Sequence, residues 1–325
     1  MSRPRHVPGS VVVYKVKPRQ GKQPLARYLA ARLGVVETWA ADLLAAGVVT
    51  LDGEAAEVDT PINLSAGRHT IGISFPEVWP RHMAPTPMRL SVLYEDEDMS
   101  AVDKPPGIVV HPARGHLDNQ TLQNGVRYRY RHLLGEESAT IGPTHRLDKD
   151  TSGVCLFALN HSAYVNLTQQ FASGNVEKEY VAVVDGSPGW GSLLCERPIP
   201  PDLRRKGLGK TASAGETGKR AATRFEVAAR GNGTALIVAR PLTGRPHQIR
   251  IHLSSLGLPI CGDRGYNAAP DRHGSLRQAL HASRLRIRHP VTGENVAMRS
   301  AIPDDMRQLV LQLDMAGEAE GAGLF

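Results

Sequence analysis

The chain of 325 residues holds only three cysteines, at positions 155, 195 and 261, and no Cys-x-x-Cys pair. An odd, widely spaced set excludes a disulfide framework and argues against a structural zinc site. No run approaches ~18 apolar residues, which excludes a membrane-spanning helix. Arg5, His6 and Pro8 stand where the apolar core of a signal peptide would lie, so no such peptide is expected. A reduced, cytoplasmic protein is the expectation. Positive charge is missing from one stretch: between Arg32 and Arg68 there is no Lys or Arg, while Glu37, Asp42, Asp52, Glu54, Glu57 and Asp59 all fall there. Familiar catalytic signatures are absent too. There is no Gly-x-Ser-x-Gly elbow and no His-Glu-x-x-His. Gly209-Lys210-Thr211 resembles the end of a phosphate loop, but Arg204 stands where that loop needs glycine.

What is present is a basic chain with a formal net charge of +7 and a pI near 9.4. With the acidic stretch set apart, the excess of positive charge belongs to the later, larger part of the protein. An acidic partner follows, with nucleic acid as the default. The length suggests about two domains, and a hydrophobic fraction of 41% is enough for a core.

Periodicity divides the chain. Residues 1–17 read as a basic N-terminal tail. Leu25, Leu29 and Leu33 recur at helical spacing after Pro24. A second helix fits Glu37–Ala46 and stops at Gly47, and Asp52-Gly53 marks a hairpin. These make a small unit at 18–74. Pro76, Pro80, Pro85 and Pro87 mark a linker at 75–88. Residues 89–314 alternate strands and helices, with Gly231-Asn232-Gly233 as a hairpin turn, Leu122–Leu134 and His161–Ala172 as helices, and a helix from Pro246 to Leu256. Residues 315–325 read as a disordered tail. The fold class is α+β with a largely antiparallel mixed sheet.

Two clusters carry chemistry. His145 to Gly153, HRLDKDTSG, sets Asp148 two residues after Arg146 at the entrance to a strand. A carboxylate there is a candidate nucleophile or base; an ordinary turn is the plainer reading. The second, RPLTGRPHQIRIHL at 240–253, holds Arg240, Arg245 and Arg250 with His247 and His252. A helix opening at Pro246 after Thr243-Gly244 would suit a phosphate, and a solvated basic helix is its alternative. The two histidines are five apart, which does not suit a shared metal on one helix face. Lys104-Pro105-Pro106-Gly107 with His111-Pro112 reads as a rigid turn, and Tyr180 in Lys178-Glu179-Tyr180 as a packed strand residue.

In order, VLYEDEDMSAVDKPPGIVVHP, HRLDKDTSGVCLFALN, EKEYVAVV, GKRAATRFEV, PLTGRPHQIRIHLSSLGLPICGD and LHASRLRIRHPVTGENV resemble the motifs of the RluA family of pseudouridine synthases. Pro246 stands where Thr or Ser is commoner. Residues 18–74 resemble the S-four-like RNA-binding module that many members carry, although Pro24-Leu25-Ala26 departs from its usual helix start and basic residues are few. The resemblance implies a pseudouridine synthase catalytic domain at 89–314 that converts uridine in structured RNA to pseudouridine without metal or small-molecule cofactor. It implies Asp148, Tyr180 and Arg250 as the catalytic set. Arg146, Leu147, Ile249, His247, Arg245, Lys104 and His111 are the expected RNA or substrate contacts. The partner is expected to be large-subunit ribosomal RNA, with transfer RNA as the alternative. A non-catalytic ribosome-assembly protein is the remaining reading, and a monomer is the default.

Overall fold

The computed structural model describes residues 11–16, 21–33, 37–74, 85–111, 120–131, 141–200, 218–270 and 272–324. Phe75 to Arg81 and the Gly209-Lys210-Thr211 decoy lie outside them. The N-terminal part runs β1 (Val11–Val16), β2 (Lys22–Pro24), α1 (Leu25–Leu33), α2 (Glu37–Ala45), β3 (Val49–Leu51), β4 (Glu54–Ala55), β5 (Pro61–Asn63) and β6 (His69–Ser74). Leu25 and Leu29 pack as their helical spacing predicts, fully buried in one cluster with Ile62, Ile71 and Ile73, and the Leu33 side chain lies outside the described residues. Asp52 and Gly53 both take positive φ, the conformation of the tight hairpin turn joining β3 to β4.

The expected tail at 1–17 is in part a strand. β1 pairs antiparallel with β6 along its length, from Val11 opposite Ser74 to Val16 opposite His69. Alternation in VVVYKV puts Tyr14 and Val16 in the core and leaves Val11 and Val13 exposed. The basic composition of its surroundings hid a period-2 pattern.

The second part runs β7 (Ser91–Glu95), β8 (Met99–Lys104), α3 (Leu122–Arg129), β9 (Gly142–Pro143), β10 (Ser152–Ala158), α4 (His161–Ser173), β11 (Glu177–Asp185), β12 (Ser192–Cys195), β13 (Thr223–Gly231) and β14 (Thr234–Pro241). It continues with α5 (Gln248–Ser255), β15 (Leu280–Arg288), β16 (Asn295–Arg299), α6 (Asp304–Gln312) and α7 (Ala316–Gly321). Ten strands form one sheet in the order β12-β13-β14-β11-β15-β10-β8-β7, with β16 beside β15 and β9 beside β10. Every pairing is antiparallel except β10 with β15. Local signals set the ends of the helices. Thr121 and Asn124 form a capping box on α3, and Asn160 caps α4, which stops at left-handed Gly174.

The C-terminal residues expected to be disordered form α7 instead. Met315 and Ala319 are buried there, and Glu318 accepts from the Arg230 amide at 3.0 Å. The close approach to β13 is allowed by a glycine of that strand, since a Cβ on Gly231 would stand 2.1 Å from the Leu313 carbonyl oxygen and 2.8 Å from Met315 Cγ. The two parts of the protein meet at a buried ion pair, Asp42 of α2 with Arg127 of α3 at 3.3 Å. The end of the expected linker docks on α3 as well, through Thr86 N–H to the Asn124 carbonyl. Among the described residues no helix is long and apolar enough to cross a bilayer.

Candidate active site

The HRLDKDTSG segment joins β9 to β10 across the middle of the sheet. Its last residue explains the glycine: Gly153 has φ +112, and a Cβ there would lie 2.2 Å from the Ala282 carbonyl oxygen. Only glycine lets β10 run parallel to β15 at Ser152–His281 and Gly153–Ala282. The loop is tied from two sides. Lys104 Nζ donates to the carbonyls of Pro105, Ile108 and Lys149, each at 2.8 Å. Arg277 donates to the Asp150 carbonyl and the Ser152 hydroxyl while paired with Asp305 at 2.7 Å. Thr151 closes the turn by donating its amide to the Asp148 carbonyl.

These ties hold Asp148 at the wall of a cavity of about 370 Å³, a size that suits a small ligand or one nucleoside. Arg250 Nη1 donates to Asp148 Oδ2 at 3.0 Å. The same guanidinium grips the fully buried Asp263 with two bonds, at 2.8 and 2.7 Å. Burial alone would lower the Arg250 pKa, but the Asp263 and Asp148 carboxylates outweigh it and raise the value. The guanidinium is therefore a fixed positive charge facing Asp148.

His247 stands on the other side of Asp148, with Nε2 3.7 Å from Oδ1. Its φ of +56 is unusual for a non-glycine residue, and its Nδ1 lies 2.9 Å from the Tyr266 hydroxyl. The Tyr266 ring also lies under the Arg250 guanidinium, 5.0 Å from its centroid. Gln248 pins the preceding loop. Its side-chain oxygen accepts from the Thr243 hydroxyl and the Arg245 amide, and its nitrogen donates to Ala222 and Thr223. The helix begins at Gln248 and not at the expected Pro246. The Gln248 side chain occupies the Thr243 hydroxyl and the Arg245 amide, two groups of the turn that was expected to take a phosphate.

Tyr180 lies on β11 beside an irregularity in its pairing with β15, between Glu179 and Val181, a common device for aiming a side chain near a site. Burial raises its pKa first, and the Asp148 charge adds to it, so Tyr180 stays a neutral phenol. His145 is held neutral by burial, which pushes its pKa down to about 3. It accepts from the Leu156 amide at 3.0 Å and stacks on Phe171 at 4.7 Å.

Of the residues expected from sequence, Asp148, Tyr180, Arg250, Arg146, Leu147, Ile249, His247 and Arg245 all line this cavity. Arg146 is exposed at it, while Leu147 and Ile249 are buried in its floor. Lys104 and His111 do not line it. Lys104 is fully buried with all three protons donated to backbone, so it cannot contact RNA. The plainer reading of its turn is the correct one. His111 is partly buried, with a pKa pushed down to about 4 by burial and by nearby Arg146. Sequence reading missed Asp263, Tyr266, Gln248, Lys178 and Arg277. Asp263 and Tyr266 sit within the CGDRGYN stretch, where nothing in the spacing ties them to Arg250.

The order of elements and this constellation can be compared with known proteins. Residues 98–255 match the family described as RNA pseudouridylate synthase. A Bacillus subtilis (strain 168) protein named Uncharacterized RNA pseudouridine synthase YlyB is 35% identical over 285 residues, covering 87% of this chain and 89% of its own length. The chain belongs to the RNA pseudouridine synthase family. A relative from Xanthomonas campestris pv. campestris, named Ribosomal large subunit pseudouridine synthase D, is 35% identical over 288 residues and covers 84% of each chain. Among solved structures, Human RNA Pseudouridylate Synthase Domain Containing 4 superposes with a TM-score of 0.57 at 24% identity, covering 69% of this chain and 93% of that one. That likeness supports the fold alone. The enzyme is an RNA pseudouridine synthase with the expected mixed, mostly antiparallel sheet.

Proposed function

We propose that this synthase converts one or more uridines of large-subunit ribosomal RNA to pseudouridine, with Asp148 as the catalytic carboxylate. The observation that carries the assignment is the 3.0 Å contact between Arg250 and Asp148 at the wall of a nucleoside-sized cavity. The guanidinium orients the carboxylate toward the cavity, and a carboxylate can attack the sugar or base or accept a proton. The reaction breaks the bond from uracil N1 to the ribose, turns the base, and rejoins it through ring carbon C5, which gives up its proton. Tyr180, kept neutral, lies against the flipped uracil, and the Asp148 carboxylate takes the proton. Leu147 and Ile249 pack the base, and Arg146 and Arg245 meet phosphate or the space the base leaves. Extruding the base costs a few kcal/mol, which an unpaired, structured site lowers.

The ribosomal assignment is supported by relatives from Zymomonas mobilis and Xanthomonas campestris that carry the name Ribosomal large subunit pseudouridine synthase D. Residues 18–74 are read as an S-four-like RNA-binding module of low affinity. Its cations are few, and Arg27 among them faces Glu37 at 3.4 Å, so few charges remain to displace counterions. Incubating the protein with transcribed large-subunit RNA and with transfer RNA, then mapping pseudouridine in both, tests the proposal. Product in the ribosomal RNA supports it; product confined to transfer RNA redirects it to that class.

A further inference from the structure

The sheet has a second charged face, turned away from the cavity. Lys178 and Tyr180 line the cavity, so Glu179 between them points to the opposite side of the sheet. Directly paired residues on neighbouring strands share a face. Arg224 pairs with Arg240, Arg240 bonds Glu179 at 2.9 Å, Glu179 pairs with Arg284, and Arg284 pairs with Arg299. One row of side chains thus crosses β13, β14, β11, β15 and β16, a span of about 19 Å at the usual ~4.8 Å strand spacing. Arg286 and Arg288 alternate along β15 in step with Arg284 and continue the face.

The acids on this face do not neutralise it. Glu179 and Glu226 both hold Arg240, at 2.9 and 2.6 Å, and Glu177 faces Arg286 at 3.7 Å. Arg224, Arg284, Arg288 and Arg299 have no ion pair among the described residues. Arg224, Arg288 and Arg299 are exposed, and Arg284 is half-buried. The row contains no aromatic side chain on which a base could stack. Guanidinium groups match phosphate oxygens in pairs, and contacts of this kind position a nucleic acid without reading it.

We propose that this arginine face is a second RNA-binding surface, which holds the phosphate backbone of a helix or strand next to the one that enters the cavity. The proposal rests on the RNA substrate reading above and adds to it. A large, folded RNA engages both sides of the sheet, while a short hairpin around the target uridine engages only the cavity.

The test uses the full chain carrying Arg224→Gln, Arg284→Gln, Arg288→Gln and Arg299→Gln together, and the same four positions changed to Lys. Binding to a transcribed large-subunit RNA fragment is titrated at several salt concentrations, beside binding and turnover of a short hairpin cut from it. Loss of four phosphate contacts lowers the salt slope by about 3 and weakens fragment binding at least about tenfold at physiological salt. Hairpin turnover and affinity stay as in the wild type, and the lysine variant keeps most of the fragment affinity because charge is retained. Hairpin turnover at the wild-type rate also reports that the variant is folded. Unchanged fragment affinity and slope in the glutamine variant overturn the face while leaving the function intact. A wild-type protein that binds neither RNA overturns both readings. Equal loss for hairpin and fragment also overturns the face, because it marks a general defect.

Discussion

Lys104→Met separates a structural lysine from an RNA-binding one. Met matches the length of the side chain but donates nothing, so the carbonyls of Pro105, Ile108 and Lys149 lose the partner they now share at 2.8 Å. Each orphaned buried acceptor costs roughly 1–3 kcal/mol, or about 3–9 kcal/mol for all of them. The variant also escapes the cost of burying an ammonium. Burial holds the Lys104 pKa at about 8 against an ordinary 10.5, which corresponds to about 3 kcal/mol. The net loss centres near 3 kcal/mol, a fall in Tm of about 6 °C or more. The pH dependence has a definite sign. The unfolded chain keeps this proton up to about 10.5 and the folded chain releases it near 8, so between those values the unfolded state binds more protons. The contribution of the wild-type lysine to stability therefore rises with pH over that window, and the wild type gains on the variant there. Thermal unfolding followed by circular dichroism at a series of pH values, with RNA affinity measured at neutral pH, reads both effects. A variant with wild-type Tm and weakened RNA binding would falsify the structural assignment.

The remaining predictions concern the frame around Asp148. Gly153→Ala puts a methyl group against the Ala282 carbonyl in a left-handed backbone and should cost at least about 3 kcal/mol; a Tm within a degree of wild type would show that β10 and β15 do not need the close approach. Asp263→Asn removes the buried partner of Arg250, with an expected loss of about 3–5 kcal/mol and slower turnover at unchanged RNA affinity; a variant as stable and active as wild type contradicts it. Arg250→Lys keeps the charge but loses the planar fork that spans both carboxylates. Single-turnover rates should fall by about 10²-fold, and the Ala variant should be slower still; equal rates for Lys and wild type would remove the fork from the account.

The parts of the site that lie within one segment were legible in the sequence. HRLDKDTSG announced a carboxylate at a strand entrance, and the 240–253 segment put His247 and Arg250 three residues apart in one basic cluster. The hairpins at Asp52-Gly53 and Asn232-Gly233 followed from local turn chemistry alone. Contacts made across the fold were not legible. Arg250 and Asp263 belong to different segments, and only packing brings the acid under the guanidinium. Lys104 read correctly as part of a rigid turn, and the family resemblance then drew it toward RNA. Its burial depends on the Lys149 carbonyl, 45 positions away. α7 was missed for a related reason: Ala and Gly carry little local signal, and its stability comes from docking on β13. β1 was legible in its alternation, but the charges around it masked that pattern.

The most direct test of the account is single-turnover conversion by Asp148→Asn. The amide keeps the shape of the side chain and cannot act as a nucleophile or base. Expected are unchanged RNA affinity, a folded protein and no pseudouridine after long incubation with enzyme in excess. Pseudouridine formed by that variant at a measurable rate would contradict the central claim, because the catalytic carboxylate would then lie elsewhere.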